Sequence, residues 1–230
     1  MKAILLSLFV SLLMVGCGES SQPSESAEMK NTDPEKDTVE TAVDWSKLPD
    51  RYGVTYLPNT DKPFSGYAKQ VYENEQVEAL AQFKDGYVVR LKQWQENGTP
   101  RWDLGFIEGK VGVEGMPYKR KPNKLKEYSH GPVTFWHENG QKEAEGNFKD
   151  GKADGLQTGW YENGQKQREG NFKDGKQDGV WTSWYENVQK EGERGWKEGK
   201  LMEAVHWQPN GEKCPETNLN NGNGVVVWYN

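Results

Sequence analysis

The sequence has little of what usually carries chemistry or builds a thick core. Of 230 residues two are cysteine, Cys17 and Cys214, and Cys17 closes an apolar leader. The folded part therefore keeps one thiol, which excludes an internal disulfide framework and a cysteine-built zinc site. Hydrophobic residues make up only 33% of the chain, which argues against a deep aliphatic interior. The leading apolar run, Ala3 to Val15, falls short of the roughly 20 residues that a bilayer span needs. Basic charge is not in excess either: the net charge is -6, so there is no electrostatic case for nucleic acid. The three histidines, His130, His137 and His206, show no metal-ligand spacing, and no serine sits in a Gly-x-Ser-x-Gly turn.

Aromatics and glycine are abundant by contrast, with 12% aromatic residues, 10 Trp and 26 Gly. Such a composition fits a thin structure that buries rings and turns sharply. The acidic charge is gathered near the amino terminus. Residues 18–44 hold eight acids (Glu19, Glu25, Glu28, Asp33, Glu35, Asp37, Glu40 and Asp44) against Lys30 and Lys36. Rich in Ser, Pro, Glu and Asp, this stretch reads as a disordered acidic linker, because it has too little apolar surface to offset the entropy of ordering. Its random-coil span is roughly 25 to 35 Å. Before it, residues 1–17 have one positive charge, Lys2, a short apolar core, and the ending Met14-Val15-Gly16-Cys17. This is a signal-peptide pattern, and its ending resembles a bacterial lipobox. The resemblance implies diacylglycerol on Cys17, cleavage before it, and acylation (palmitate or a similar chain) of the new terminus, which together anchor the protein firmly to a lipid bilayer. Because Gly18 rather than aspartate follows the cysteine, the outer membrane is favoured if the source is Gram-negative.

From residue 63 onward the chain repeats itself. Aligned on one turn, GPVTFWHENGQKEAEGNFKDGKAD, GLQTGWYENGQKQREGNFKDGKQD and GVWTSWYENVQKEGERGWKEGK begin at Gly131, Gly155 and Gly179. Weaker copies start at Val71, Gln93 and His206, and a last strand, GVVVWYN, ends the chain. Each copy reads as two strands and two turns. Asn-Gly and Asp-Gly both suit tight type I′ hairpins, and glycine this frequent is incompatible with helix. Period-two alternation places Trp136, Trp160, Trp184, Phe148, Phe172 and Trp196 in one aromatic ladder, with Gln167, Glu169, Asn171 and Lys173 on an opposite, polar face. The expected fold is all-β: a single-layer antiparallel meander of repeated hairpins over residues 63–230. Residues 45–62 form a lead-in, and an insertion at 110–130 interrupts the period. Neighbouring repeats should stabilise one another along the array.

The run from Glu169 to Trp181, EGNFKDGKQDGVW, resembles the MORN repeat, with Phe172, Gly175-Lys176 and Gly179 at matching places and Asp178 where His is usual. The added WYENGQ segment is similar to a bacterial MORN-variant group labelled YwqK-family antitoxins. That resemblance implies an antitoxin-like role, which suits an exported lipoprotein poorly.

Few residues point to chemistry. The insertion carries Lys119, Arg120, Lys121, Lys124 and Lys126 beside Tyr118 and Tyr128, a loop able to meet an anionic partner, although a solvated spacer is the simpler reading. Asp150 to Asp154 and Asp174 to Asp178 faintly resemble calcium loops, but Lys152 and Lys176 stand where a carboxylate is needed, so turn chemistry explains both. Glu138, Glu162 and Glu186 recur with the repeat, whereas catalysis needs one asymmetric constellation. Cys214 reads as a buried or neutral thiol, although a lone thiol in an oxidising compartment could pair between molecules. No catalytic residue, cofactor or metal site is assigned. The sequence thus favours a membrane-anchored, non-catalytic scaffold for protein–protein interaction at the bacterial cell envelope. The alternative is a cell-wall or polysaccharide binder in which Trp160, Tyr161, Trp184 and Tyr185 stack on sugars or hold an ammonium group. Whether Tyr161 and Tyr185 line an exposed groove discriminates the two.

Overall fold

The computed structural model describes residues 34–111, 129–214 and 218–225, all in one compact unit. The leader, Cys17, the first part of the acidic linker and most of the insertion, including its basic cluster, lie outside the described residues. In chain order come helix α1 (Pro34–Thr41), β1 (Val43–Asp44), a 3-10 turn (Trp45–Lys47), β2 (Asp50–Arg51), β3 (Val54–Thr55), β4 (Gly66–Val71), β5 (Val77–Lys84), β6 (Tyr87–Trp94), β7 (Pro100–Phe106), β8 (Ser129–Trp136) and β9 (Lys142–Lys149). They are followed by β10 (Lys152–Ala153), β11 (Gly155–Trp160), β12 (Lys166–Lys173), β13 (Lys176–Trp184), β14 (Lys190–Lys197), β15 (Lys200–His206), β16 (Asn218–Asn220) and β17 (Asn223–Val225).

From β4 on, each strand pairs antiparallel with the next; together with β1 on the β4 edge and β10, a short side branch on β9, they make one 15-stranded sheet, and the β2–β3 hairpin is separate. The fold is the expected all-β meander. Two boundaries differ from the sequence reading. The linker does not stay unstructured to Asp44: Pro34 opens α1, and β1 pairs in parallel with β4, Val43 against Ala68. Proline at a helix start and the local bond from Ala42 N–H to the Thr38 carbonyl account for this, and the Lys69 ammonium fastens the helix through the Val39 carbonyl at 2.8 Å. The insertion is also narrower than 110–130. Val111 is buried and its carbonyl accepts from Val88 N–H, while Ser129 and His130 already belong to β8.

The two kinds of turn have different geometry. At the Asp-Gly turns both residues are left-handed, as at Asp174 (φ 51°) and Gly175 (φ 81°), which is the type I′ pairing expected. The Asn-Gly turns are not type I′. Only the glycine place is left-handed, as at Gly164 (φ 81°), while Gly164 N–H donates to the Tyr161 carbonyl and Tyr161 N–H to the Gln165 carbonyl. This is a turn closed by a single left-handed residue. Asn163 keeps an ordinary φ because its side chain instead accepts from Gln165 N–H at 2.9 Å.

A bulge follows each of these turns. In the central repeat Trp160 pairs with Lys166 but Gly159 pairs with Arg168, so Gln167 is the extra residue. Equivalent shifts leave Glu78, Arg101, Glu143 and Glu191 as extras. One extra residue turns the rest of the strand over. This corrects the single aromatic ladder. Phe172 pairs with Gly155, Phe148 with Gly131 and Trp196 with Gly179, and all three lie on the face opposite Trp136, Trp160 and Trp184. Glu169, which was expected opposite the tryptophans, shares their face.

The apolar core sits on one face of the first half of the sheet. Ala68, Ala81, Leu91, Leu104 and Val133 form a paired row there, with Phe83, Val88, Trp102 and Phe106 beside it. The lead-in segment covers this face with Trp45, Leu48 and Phe64, and Trp45 and Phe64 each meet the Phe83 ring edge-on at 5.4 Å. No such cover lies over the later repeats among the described residues. There the same face has a glycine floor, with Gly170 and Gly192 buried. The Trp181 indole lies across Gly170, its N–H donating to the Asn171 carbonyl at 2.9 Å, and Phe172 meets it edge-on at 5.0 Å.

Candidate functional site

The other face, which carries Trp94, Trp136, Trp160 and Trp184, holds the candidate site. Directly paired residues point to the same side of a sheet. On this face, along the Asn-Gly end, the register aligns Trp136 with Lys142, Trp160 with Lys166 and Trp184 with Lys190. Each lysine reaches forward to the tryptophan of the next repeat. The ammonium of Lys142 lies 5.6 Å from the Trp160 ring centre, Lys166 5.7 Å from Trp184, and Lys190 5.2 Å from Trp207. Each is also held by a carboxylate on its own strand: Glu145 at 2.5 Å, Glu169 at 2.7 Å and Glu193 at 2.6 Å. Thr158 donates to Glu169 in the neighbouring row. The face is therefore a ladder of Trp–Lys–Glu units, each contributing on the order of 0.5–1 kcal/mol through its cation–π contact.

The tyrosines are taken up inside this array. The Tyr161 hydroxyl donates to the Trp184 carbonyl at 2.8 Å, Tyr185 to the Trp207 carbonyl at 3.0 Å, and Tyr72 to the Trp94 carbonyl at 2.9 Å. Burial is the main cause that raises the phenol pKa of all three, with nearby carboxylates, Glu191 first for Tyr161 and Tyr185, adding to it. In the first strong repeat His137 takes the tyrosine's place, its Nε2 2.9 Å from the Trp160 carbonyl. The turn asparagines add a second clasp: the Asn139 amide donates to the Glu162 carbonyl and Asn187 to the Pro209 carbonyl. At the other end of the hairpins, Gly175 N–H donates back to the Ala153 carbonyl and Gly199 N–H to Gln177. Tyr161 and Tyr185 thus use their hydroxyls to join repeats, and one side of the Trp160 and Trp184 rings carries a lysine.

A groove of about 760 Å³ opens on this face where the ladder begins, lined by Val39, Val77, Trp94, Pro100, Asp103 and Trp136, among others. Asp103 accepts a two-pronged bond from the Arg90 guanidinium at 2.8 and 2.9 Å, and the Lys92 ammonium lies 3.7 Å away. Of the residues named in the groove, the sequence singled out Trp136, as part of the ladder, and none as a binding site. The signal for the lysines was present in the repeated Gln141-Lys142, Gln165-Lys166 and Gln189-Lys190 pairs, and the groove coincides with their loss at Gln76-Val77 and Thr99-Pro100.

The remaining candidates stay apart from this site. His130 lies near Asp150 at the opposite hairpin end. His206 and Cys214 are buried near the last repeat, where desolvation, helped by Arg194, lowers the His206 pKa. Among the described residues no group of three or more His, Cys, Asp or Glu is placed to hold a metal ion. Two stretches, residues 129–150 and 153–174, match the family described as MORN repeat variant. No curated protein matches the chain. The matched stretches comprise the two most regular copies, including the Lys142 and Lys166 units.

Proposed function

We propose that this protein is a non-catalytic repeat scaffold that holds a protein partner at the bacterial cell envelope, tethered by lipid on Cys17 through its acidic linker. The observation that carries the reading is the tryptophan face. Its aromatic rings, lysines and carboxylates recur in register and are fixed by contacts between repeats, so it forms a broad, rigid polar surface without one distinctive acid–base pair. The lipobox-like ending at Cys17 and the acidic run after it support the tether.

Two experiments test the reading. Metabolic labelling with a palmitate analogue should mark the wild-type chain and not Cys17→Ser, and the wild type should fractionate with membranes. Crosslinking and affinity capture of the tethered protein from its own envelope should recover one stoichiometric protein. Recovery only with glycan or peptidoglycan fragments would favour the wall-binding alternative. The use of Tyr161, Tyr185 and one side of each tryptophan ring within the array supports the scaffold over that alternative.

A further inference from the structure

We propose that the groove between Trp94 and Trp136 receives the ammonium group of a lysine side chain presented by the partner protein. The inference rests on the scaffold reading and names the chemistry of its contact. The molecule itself shows what belongs in this place. In three successive repeats the gap before a tryptophan is filled by a lysine from the second strand, Lys142, Lys166 or Lys190, whose ammonium lies over the next ring and pairs with a carboxylate three residues on. The two earlier repeats keep the rings and omit the lysine. Pro100, paired with Trp94, stands where the lysine that would serve Trp136 should be, and Val77 stands where the lysine serving Trp94 should be. The carboxylate is retained in one of them, since Asp103 lies three residues after Pro100 as Glu145 does after Lys142.

The groove therefore keeps the rings and a carboxylate of the unit, but among the described residues no lysine lies over Trp94 or Trp136, and Asp103 is paired instead by the Arg90 guanidinium and Lys92. Its charge fits the same conclusion. Three carboxylates, Glu40, Glu75 and Asp103, line it against two cations, the Arg90 guanidinium and the Lys92 ammonium, both of which are taken up by Asp103. A cation is drawn to an indole face and to excess carboxylate, whereas a carboxylate or phosphate would meet repulsion. Val39 and Val77 supply apolar walls for a methylene stem, as a lysine carries and a free ammonium ion does not.

The test uses the full mature chain with indole N–H signals assigned by NMR, titrated with an acetylated Lys-Gly-Lys amide. Signals of Trp94 and Trp136 should shift, while those of Trp160 and Trp184, which already carry lysines, should not. The same peptide with norleucine or acetyl-lysine in place of lysine should leave all four unmoved. Pro100→Lys, which rebuilds the missing unit internally, should weaken peptide binding about tenfold or more while the fold, read by circular dichroism, is kept. Val77→Lys should weaken it less, and serves if the first variant misfolds. Equal shifts with norleucine, shifts with choline alone, or no shift with lysine peptide would each overturn the proposal. Capture from the envelope keeps the two readings apart. If Pro100→Lys still recovers the same stoichiometric partner, the scaffold stands and the lysine groove fails; if the wild type recovers none, the scaffold itself fails.

Discussion

The first and last parts of one continuous sheet are stabilised in different ways. Between β4 and β8 one face is packed with Leu91, Val88, Phe83 and Trp102 beneath Trp45 and Phe64, as in an ordinary globular core. From β9 to β15 the buried positions are instead glycine, Thr158, Ser183, Ala204 and His206. There the sheet is held by the tyrosine and asparagine clasps between repeats and by the Trp–Lys–Glu ladder. Period alone does not dictate how a repeat is stabilised. A covered repeat can rely on buried area, whereas an uncovered one must satisfy its polar groups locally.

Substitutions should separate the two regimes by size. The largest loss is expected for Leu91→Ala, where a fully buried side chain leaves a cavity: about 2–5 kcal/mol by denaturant unfolding. Leu156→Ala in β11, at a half-exposed site, should stay within about 0.5 kcal/mol. Next is Gly170→Ala, whose new methyl would run into the Trp181 indole, at about 1–3 kcal/mol. Trp181→Ala in the same chain should remove most of that penalty, which a double-mutant cycle would read as coupling.

Smaller effects sharpen the account of the later repeats. Tyr161→Phe removes one clasp and should cost about 0.5–1.5 kcal/mol. With three phenols raised above their ordinary value of 10.0, the folded state holds its protons longer than the unfolded chain does. Stability should therefore fall as pH rises above about 10, and the fall should be shallower in Tyr161→Phe. One change of similar size should be a gain. Val188 stands at a left-handed turn position (φ 63°) that the other strong copies give to glycine, so Val188→Gly should raise stability by about 1 kcal/mol in thermal unfolding.

Much of this was legible before the structure. The repeat period, the Asp-Gly turns and the all-β meander follow from residue patterns whose physics is local. The bulges were not legible, because nothing in Gln167 itself distinguishes an extra residue from a paired one. Missing them put Phe172 on the tryptophan face. The helix at 34–41 was hidden by its acidic composition. The groove was hidden for a different reason: it is marked by the absence of a lysine at Val77 and Pro100, which is visible only once Lys142, Lys166 and Lys190 are seen to fill the corresponding gaps.

The contrast between a covered half and an open, clasped half is tested most directly by native-state hydrogen exchange on the intact protein. Amides of β5, β6 and β7 should exchange slowest, through global unfolding, with protection falling repeat by repeat toward β15. Equal protection across β5 to β15, or slowest exchange in β13 and β14, would contradict it.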